Sequence, residues 1–129
     1  MQQLIECVPN FSEGQDPAII RQITEVIEAT DGIRLLNVDP GKATNRTVVT
    51  FVGAPEQVVE AAFQAIRKAA ELIDMSKHKG EHPRMGATDV CPLIPISGIS
   101  MEETAAWAQK VAQRVGDDLK IPVYLYEAA

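Results

Sequence analysis

The sequence predicts a single α+β domain in which an antiparallel sheet carries its helices on one face. Short runs rich in β-branched residues alternate with longer segments whose apolar residues recur at helical spacing, in the order β-α-β-β-α-β-α-β. The 129 residues suffice for one domain with a substantial core, and the fractions of hydrophobic (46%) and charged residues (23%) are ordinary for a globular protein. No linker or low-complexity segment divides the chain, so residues 1–129 are expected to form one domain.

The first strand and the first helix are predicted near the start of the chain. Residues 4–8 are expected to form the strand, which Pro9 ends, and a loop over residues 9–14 follows. Asp16 and Pro17 then begin a helix, because aspartate is a good N-cap and proline is tolerated at the first helical position. Asp31 and Gly32 end this helix. Its apolar stripe comprises Ile19, Ile20, Ile23, Val26 and Ile27.

A hairpin and a second helix are predicted next. Residues 33–38 and 47–52 are expected to pair as antiparallel strands across the connector GKATNR. Pro55 begins a helix that runs to about Ile73. The buried stripe of this helix is expected to comprise Val58, Val59, Ala62, Phe63, Ile66, Ala69, Ala70 and Ile73.

Another strand, a third helix and a last strand complete the predicted domain. Residues 90–96 read as a strand that two prolines interrupt, which places it at a sheet edge or gives it a bulge. Ser100 and Glu103 form a capping box that opens the third helix, and residues 123–126 form the last strand. The first six elements match the split β-α-β pattern of ferredoxin-like domains, with an added C-terminal helix and strand. The expected buried face of the third helix comprises Thr104, Trp107, Ala108, Val111, Val115 and Leu119.

Charge and cysteine content restrict the classes of function. The net charge of −6 argues against nucleic acid as the main partner, although Lys77, Lys79 and Arg84 form a local basic cluster. No apolar run is long enough to cross a membrane, and the start lacks the pattern of a signal peptide. Cys7 and Cys91 lie in apolar runs, which favours reduced thiols in a cytoplasmic protein over a disulfide.

The loop between the second helix and the 90–96 strand holds both histidines of the chain, His78 and His82. The string HKGEH formally matches an inverted zinc-peptidase motif. That motif needs one helix to present both imidazoles, whereas Gly80 lies inside this string and Pro83 disfavours helical geometry at His82. A metal site is therefore not expected here.

Two interpretations of His82 remain open from the residues alone. Pro83 restricts its backbone, and an imidazole in a polar loop is suited to proton transfer near neutral pH. His82 is therefore a candidate general base or acid. The alternative is a surface histidine in a solvated, charged loop.

The hairpin connector is the other candidate site. Asp39 ends one strand and Arg46 begins the next, so both lie at one edge of the sheet. Asp39 could orient an imidazole, and Arg46 could grip a carboxylate through two hydrogen bonds. The residues alone favour an ordinary turn, and the glycine that a phosphate loop requires is absent. The segment from Asn10 to Gly14 either lines the same edge or forms a turn leading into the helix.

The segments ECVPNFSEG (6–14), VDPG with TNRTV (44–48), DMSKHKGEHPRMGATDVCP (74–92) and the closing PVYLYEAA together resemble the glutamate formimidoyltransferase family. The similarity is collinear over essentially the whole chain, and HKGEHPRMGA is far more specific than the short motifs above. The resemblance implies transfer of the formimino group from N-formimino-L-glutamate to N5 of tetrahydrofolate, in histidine degradation and one-carbon metabolism. Tetrahydrofolate is then a co-substrate, and no metal is required.

The resemblance also assigns residues and partners. The family's catalytic histidine falls on His82, with Asp39 as its orienting partner by analogy. The pocket positions are Asn10, Arg46, Lys77 and Arg84, assigned on charge and proximity. The family has two ferredoxin-like subdomains with both small-molecule substrates bound between them, so much of the folate surface is expected beyond Ala129. The partner is then a C-terminal subdomain in cis or in trans, and a sheet face left uncovered favours homo-oligomers.

Two alternative functions accompany this interpretation. The chain could be a non-catalytic or partner-dependent half that binds folate and substrate without turnover. It could also belong to a related transferase that moves a formyl group instead of a formimino group.

Overall fold

The computed structural model describes residues 2–73 and 87–121. In this part of the chain six strands form one sheet in which every pairing is antiparallel, and three α-helices accompany it. The predicted combination of an antiparallel sheet and helices is therefore confirmed. The elements are β1 (Leu4–Cys7), β2 (Asn10–Phe11), α1 (Pro17–Glu28), β3 (Arg34–Gly41), β4 (Arg46–Gly53), α2 (Pro55–Leu72), β5 (Thr88–Val90), β6 (Leu93–Ser97) and α3 (Met101–Arg114), with a π-helical turn over Val115–Leu119.

The first strand ends at Cys7, close to the predicted stop at Pro9, but a second short strand lies inside the predicted loop over residues 9–14. β2 continues the line of β1, and both pair with β4 in one register, with Cys7 opposite Phe51 and Asn10 opposite Val48. Proline lacks the N–H donor but keeps its carbonyl. The Pro9 carbonyl accepts the N–H of Val49 at 3.0 Å, so the pairing passes through the proline. The loop consequently begins at Ser12.

The strand predicted over residues 90–96 is divided into two. β5 pairs with β2 and β6 pairs with β1, and the Val8 N–H donates to the Pro92 carbonyl at 3.1 Å between these two pairings. The register shifts once in each pairing. The expected irregularity is confirmed, and the strand begins earlier than predicted, at Thr88.

The predicted hairpin is confirmed, with longer strands than expected. β3 and β4 pair from Arg34 opposite Val52 to Gly41 opposite Arg46, with a register shift between Leu35 and Asn37. Within the described residues β3 pairs with β4 alone. A strand with one neighbour tolerates a proline, which explains why Pro40 can lie inside β3.

The core lies on the side of the sheet that faces the helices. Along β4 the burial alternates, with Thr47, Val49, Phe51 and Gly53 buried and the residues between them half-buried. Both α1 and α2 contact β4, so the buried set faces these helices. We call the opposite side, which carries Val48 and Val52, the outer face. The core comprises chiefly Ile5, Cys7, Phe11, Ile23, Ile27, Val49, Phe51, Val58, Ala61, Ala62, Phe63, Ala65, Ile66, Ala69, Val111 and Val115.

Both predicted helix caps are confirmed. The Asp16 carboxylate accepts the N–H of Ala18 at 2.9 Å, and Ser100 and Glu103 exchange the two hydrogen bonds of a capping box at 3.0 Å each. Thr104 and Val111 of the third helix and Val115 of the turn that follows it are buried, and Trp107 is half-buried. The strand predicted over 123–126 lies outside the described residues. No helix within residues 2–73 and 87–121 has the length and apolar character needed to cross a bilayer.

An ion pair between α2 and α3 predicts a pH-dependent contribution to stability. A hydrogen bond from Gln64 and the nearby Arg114 guanidinium, 3.2 Å away, lower the pKa of Glu60. A lowered folded-state pKa contributes stability above the unfolded pKa, and this stability is lost as the pH falls through the folded pKa. Because the pair is partly exposed, we expect Glu60→Gln to lower the free energy of unfolding by about 0.2–1 kcal/mol near neutral pH.

Urea denaturation at about pH 7 and about pH 4 measures this effect. The destabilisation should shrink at the lower pH. Glu25→Gln is the matched control, because Glu25 is exposed on α1 and its carboxylate has no side-chain partner within residues 2–73 and 87–121. An equal loss for Glu60→Gln at both values would mean that the charge is not responsible.

Candidate functional site

Asn10 and Asp39 lie in one row on the outer face of the sheet. Both are directly opposite Val48, Asn10 from β2 and Asp39 from β3. Directly opposed residues share a face, and the alternation along β4 turns Val48 away from the helices. The side chains of Asn10 and Asp39 lie two strand spacings apart, which is about 10 Å. Asn10 is half-buried and its amide donates to the Val8 carbonyl at 3.3 Å, whereas Asp39 is exposed.

Arg46 lies on the same face, two residues before Val48 on β4. Its Nη2 atom contacts the Asp89 carboxylate at 2.7 Å, and the side chains are 41% and 18% exposed respectively. Asp89 belongs to β5, so this ion pair reaches across β2. Asp89 was not predicted as a site residue, because the register that brings β5 beside β2 is not visible in a single sequence. The carboxylate holds the guanidinium through Nη2, and the Arg46 side chain remains partly exposed.

The loop after β2 is attached to the hairpin turn. The side-chain oxygen of Asn45 accepts the N–H of Gly14 at 2.9 Å, and the Thr47 hydroxyl donates to the Glu13 carbonyl. Asn45 has a positive φ of 51°, a conformation that asparagine tolerates better than most residues. Of the two interpretations left open for residues 10–14, these contacts support the one in which the segment lines the hairpin edge.

The remaining predicted site residues, His82, Lys77 and Arg84, lie outside the described residues, as does His78. The described chain resumes at Ala87, whose carbonyl accepts the N–H of Ser12 at 2.8 Å. Ser12 follows β2 directly. Ala87, the first described residue after the two histidines, is therefore attached next to the strand that carries Asn10.

The outer face near the hairpin combines a partly accessible cation, an exposed carboxylate and an amide around apolar Val48. Such a set can bind a carboxylate through Arg46 and can orient a basic group through Asp39. No cluster of three histidine, cysteine, aspartate or glutamate side chains that could hold a metal ion occurs within residues 2–73 and 87–121.

A cleft of about 640 Å³ lies elsewhere, between the end of α1 and the start of α2. Three carboxylates, from Asp31, Glu56 and Glu60, line it. Their negative charge disfavours anionic ligands in this cleft. Of the predicted site residues that the structure describes, Asn10, Asp39 and Arg46 do not line this cleft, so we place the candidate site on the outer face.

The Arg46–Asp89 pair predicts a measurable coupling. For exposed pairs the interaction is worth about 0.2–1 kcal/mol, and salt screens it. A double-mutant cycle of Arg46→Gln and Asp89→Asn, followed by urea denaturation, should give a coupling in this range at low ionic strength and a smaller one at high ionic strength. A coupling of zero at low salt would contradict the contact.

Comparisons with known proteins add an independent finding. A profile of the family described as "Formiminotransferase domain, N-terminal subdomain" matches residues 4–129. The mouse (Mus musculus) protein named formimidoyltransferase-cyclodeaminase is 60% identical over 129 residues, which is 100% of this chain and 24% of the mouse protein.

Microbial relatives also match nearly the whole of this chain. The proteins named glutamate formimidoyltransferase from Streptococcus pyogenes serotype M1 and Thermoplasma acidophilum are 46% and 47% identical, over 98% of this chain and 42% of each relative. The chain thus spans between about a quarter and two fifths of the length of these relatives.

Proposed function

The chain belongs to the formiminotransferase domain family, as its N-terminal subdomain, and we propose on that premise that it takes part in transferring a formimino group from N-formimino-L-glutamate to N5 of tetrahydrofolate. The single observation that carries this proposal is the match to relatives named for this transfer over 98–100% of the chain. The reaction serves histidine degradation and one-carbon metabolism in the cytoplasm, with tetrahydrofolate as co-substrate and without a metal.

His82 acts as the general base in this proposal. N5 of the folate must lose a proton as it attacks the amidine carbon, and a neutral imidazole accepts a proton readily near neutral pH. Asp39 orients the imidazole. The hydrogen bond between Ala87 and Ser12 supports a pairing of His82 with Asp39. It holds Ala87, which lies five residues after His82, beside the strand next to β4. Most of the rate then comes from holding the two substrates together.

Arg46, Asn10, Lys77 and Arg84 bind the substrates. Formiminoglutamate and the folate tail both carry carboxylates, which guanidinium and ammonium groups anchor. The Arg46 side chain stays 41% exposed beside Asp89, and a guanidinium carries five N–H donors, which supports binding of a substrate carboxylate there. The Asn10 amide supplies a further polar contact on the same face.

We also propose that the fold is the ferredoxin-like β-α-β-β-α-β sandwich. The pairings support it if β1 with β2 and β6 with β5 are each counted as one interrupted strand. The sheet order is then β3, β4, β1/β2, β6/β5, with all neighbours antiparallel. This is the arrangement expected when two β-α-β units are interleaved.

A C-terminal subdomain, in cis or in trans, completes the site in this proposal. The share of the relatives' length that the chain covers supports it. Ile94 and Ile96 on β6 are 40% and 51% exposed, so the sheet offers apolar surface to a second subdomain or to a second copy. The partial coverage of the relatives' length also favours the second candidate function. In that function the chain binds the substrates but catalyses transfer only together with its partner subdomain.

A transfer assay tests the proposal. The chain alone, and the chain with a C-terminal formiminotransferase subdomain added as a separate polypeptide, are incubated with tetrahydrofolate and N-formimino-L-glutamate. Mass spectrometry should detect glutamate and 5-formimino-tetrahydrofolate in at least the reconstituted sample. N-formyl-L-glutamate as donor is the matched control and should give little product. The proposal would be refuted if product formed with N-formyl-L-glutamate but not with N-formimino-L-glutamate. It would also be refuted if the reconstituted sample formed product with neither donor.

A further inference from the structure

Two free thiols face each other across neighbouring strands. Cys7 ends β1, and Cys91 lies between β5 and β6. Their sulfur atoms are 3.5 Å apart. Leu93 is the residue directly opposite Cys7, so Cys91 is the diagonal neighbour of Cys7 in the ladder. The proposed transfer reaction uses neither thiol.

The two thiols differ in access. Cys7 is completely buried among core side chains, whereas Cys91 is partly exposed. Burial is the main cause that raises the pKa of Cys7 well above its ordinary value, and the contact with Cys91 raises it further. Cys7 therefore remains a protonated thiol near neutral pH. An oxidant arriving from solvent meets Cys91 first.

We propose that Cys7 and Cys91 are a peroxide-oxidised thiol pair that closes into an intramolecular disulfide. The Cys91 thiolate attacks one oxygen of a hydroperoxide, whose O–O bond breaks, and Cys91 becomes a sulfenic acid while water or an alcohol leaves. The Cys7 sulfur then attacks the Cys91 sulfur and loses its proton, and the hydroxyl group leaves as water. Overall, two thiols lose two electrons and two protons, and the peroxide is reduced.

The surrounding backbone makes this disulfide readily reducible. A disulfide needs a sulfur–sulfur distance of about 2.05 Å, and diagonal neighbours on a sheet lie farther apart than directly opposed ones. The strands are held in place on both sides by the Val8–Pro92 hydrogen bond and the pairing of Cys7 with Leu93. Closing the bridge therefore strains the sheet, and a strained disulfide is easily reduced.

The crosslink also lies beside the candidate site. Cys91 directly follows Val90, which pairs with Asn10, and Asp89 precedes Val90. Oxidation consequently joins the end of β1 to the residue that directly follows β5, the strand whose Asp89 pairs with Arg46. This inference does not depend on the proposed transfer reaction, because it concerns thiols that the reaction does not use.

Intact-mass analysis after peroxide treatment tests the pair. The reduced chain is mixed with reduced glutathione and hydrogen peroxide, quenched, unfolded in guanidinium chloride so that the buried Cys7 becomes accessible, and treated with N-ethylmaleimide. We expect loss of two hydrogen atoms, no maleimide adduct on either cysteine, and recovery of two adducts after dithiothreitol. Hydrogen-exchange protection of the Val8 amide should increase in the oxidised form, because opening of its bond to Pro92 becomes harder.

Single variants separate the roles of the two thiols. In Cys7→Ala the Cys91 sulfenic acid has no internal partner, so dimedone should trap it. In Cys91→Ser the buried Cys7 should keep its thiol under the same treatment. Circular dichroism checks that both variants fold, and Cys7→Ser replaces Cys7→Ala if the latter does not.

Three results would overturn the proposal. The first is oxidation of glutathione in the mixture while both cysteines still react fully with maleimide. The second is a gain of oxygen atoms on Cys91 in the wild-type chain without loss of hydrogen. The third is a disulfide that links two chains on a non-reducing gel.

Discussion

Replacing His82 with glutamine is expected to lower kcat for formimino transfer by about a hundredfold to ten-thousandfold, the range that loss of a positioned general base produces. Glutamine keeps hydrogen-bonding groups but cannot accept the proton that N5 releases. KM for formiminoglutamate should change much less, since the proposed carboxylate contacts come from Arg46, Lys77 and Arg84. The measurement is initial-rate kinetics on whichever form of the chain transfers the group, alone or reconstituted.

The other histidine provides a matched control. His78→Gln removes an imidazole from the same segment and should leave kcat within a few-fold of the parent. Thermal denaturation of both variants shows whether either change affects folding. Equal losses of kcat for the two variants, or an unchanged kcat for His82→Gln, would remove His82 from its proposed role.

Gly14→Ala is expected to have the largest effect on stability among single changes near the site. A Cβ atom at Gly14 would lie 2.5 Å from the Arg46 nitrogen and 2.7 Å from the Arg46 carbonyl oxygen, and it would also overlap the Gly41 carbonyl. All three atoms are backbone, so no side chain can rotate away. Overpacking of this kind costs about 1–3 kcal/mol. The change should also displace the loop from Asn45 and thereby weaken substrate binding.

Gly116→Ala is the control for this prediction. A Cβ atom there would meet only the Ile121 carbonyl, at 4.0 Å, and Gly116 lies in the π-helical turn away from the hairpin. Urea denaturation should place Gly116→Ala within about 0.5 kcal/mol of the parent. If the two variants are equally stable, the loop is not packed against the hairpin as described.

The helix starts were predictable because their signals are local. Asp16 with Pro17 and Ser100 with Glu103 complete their caps within a few residues of chain, so no tertiary contact is needed to identify them. The hairpin was predictable for a similar reason, since its two strands are adjacent in sequence. Their pairing brings Asp39 and Arg46 to one end of the sheet, as the sequence indicated.

The features that were missed depend on distant parts of the chain. Pro9 looked like a strand end, because the sequence does not reveal that its carbonyl accepts the Val49 N–H. The Arg46–Asp89 pair requires β5 to lie beside β2, which follows from the sheet order and not from local patterns. The close approach of Gly14 to the hairpin is likewise a tertiary contact. A glycine in a loop is more often a turn residue, so its role was hidden.

NMR titration of the isotope-labelled chain with tetrahydrofolate tests most directly whether the outer face beside the hairpin is the binding site. We expect the amide shifts to change most at Asn10, Asp39, Arg46 and Val48, and little in the acidic cleft around Glu56. Changes concentrated in that cleft, or none up to the solubility limit of the folate, would rule out a binding site on the outer face.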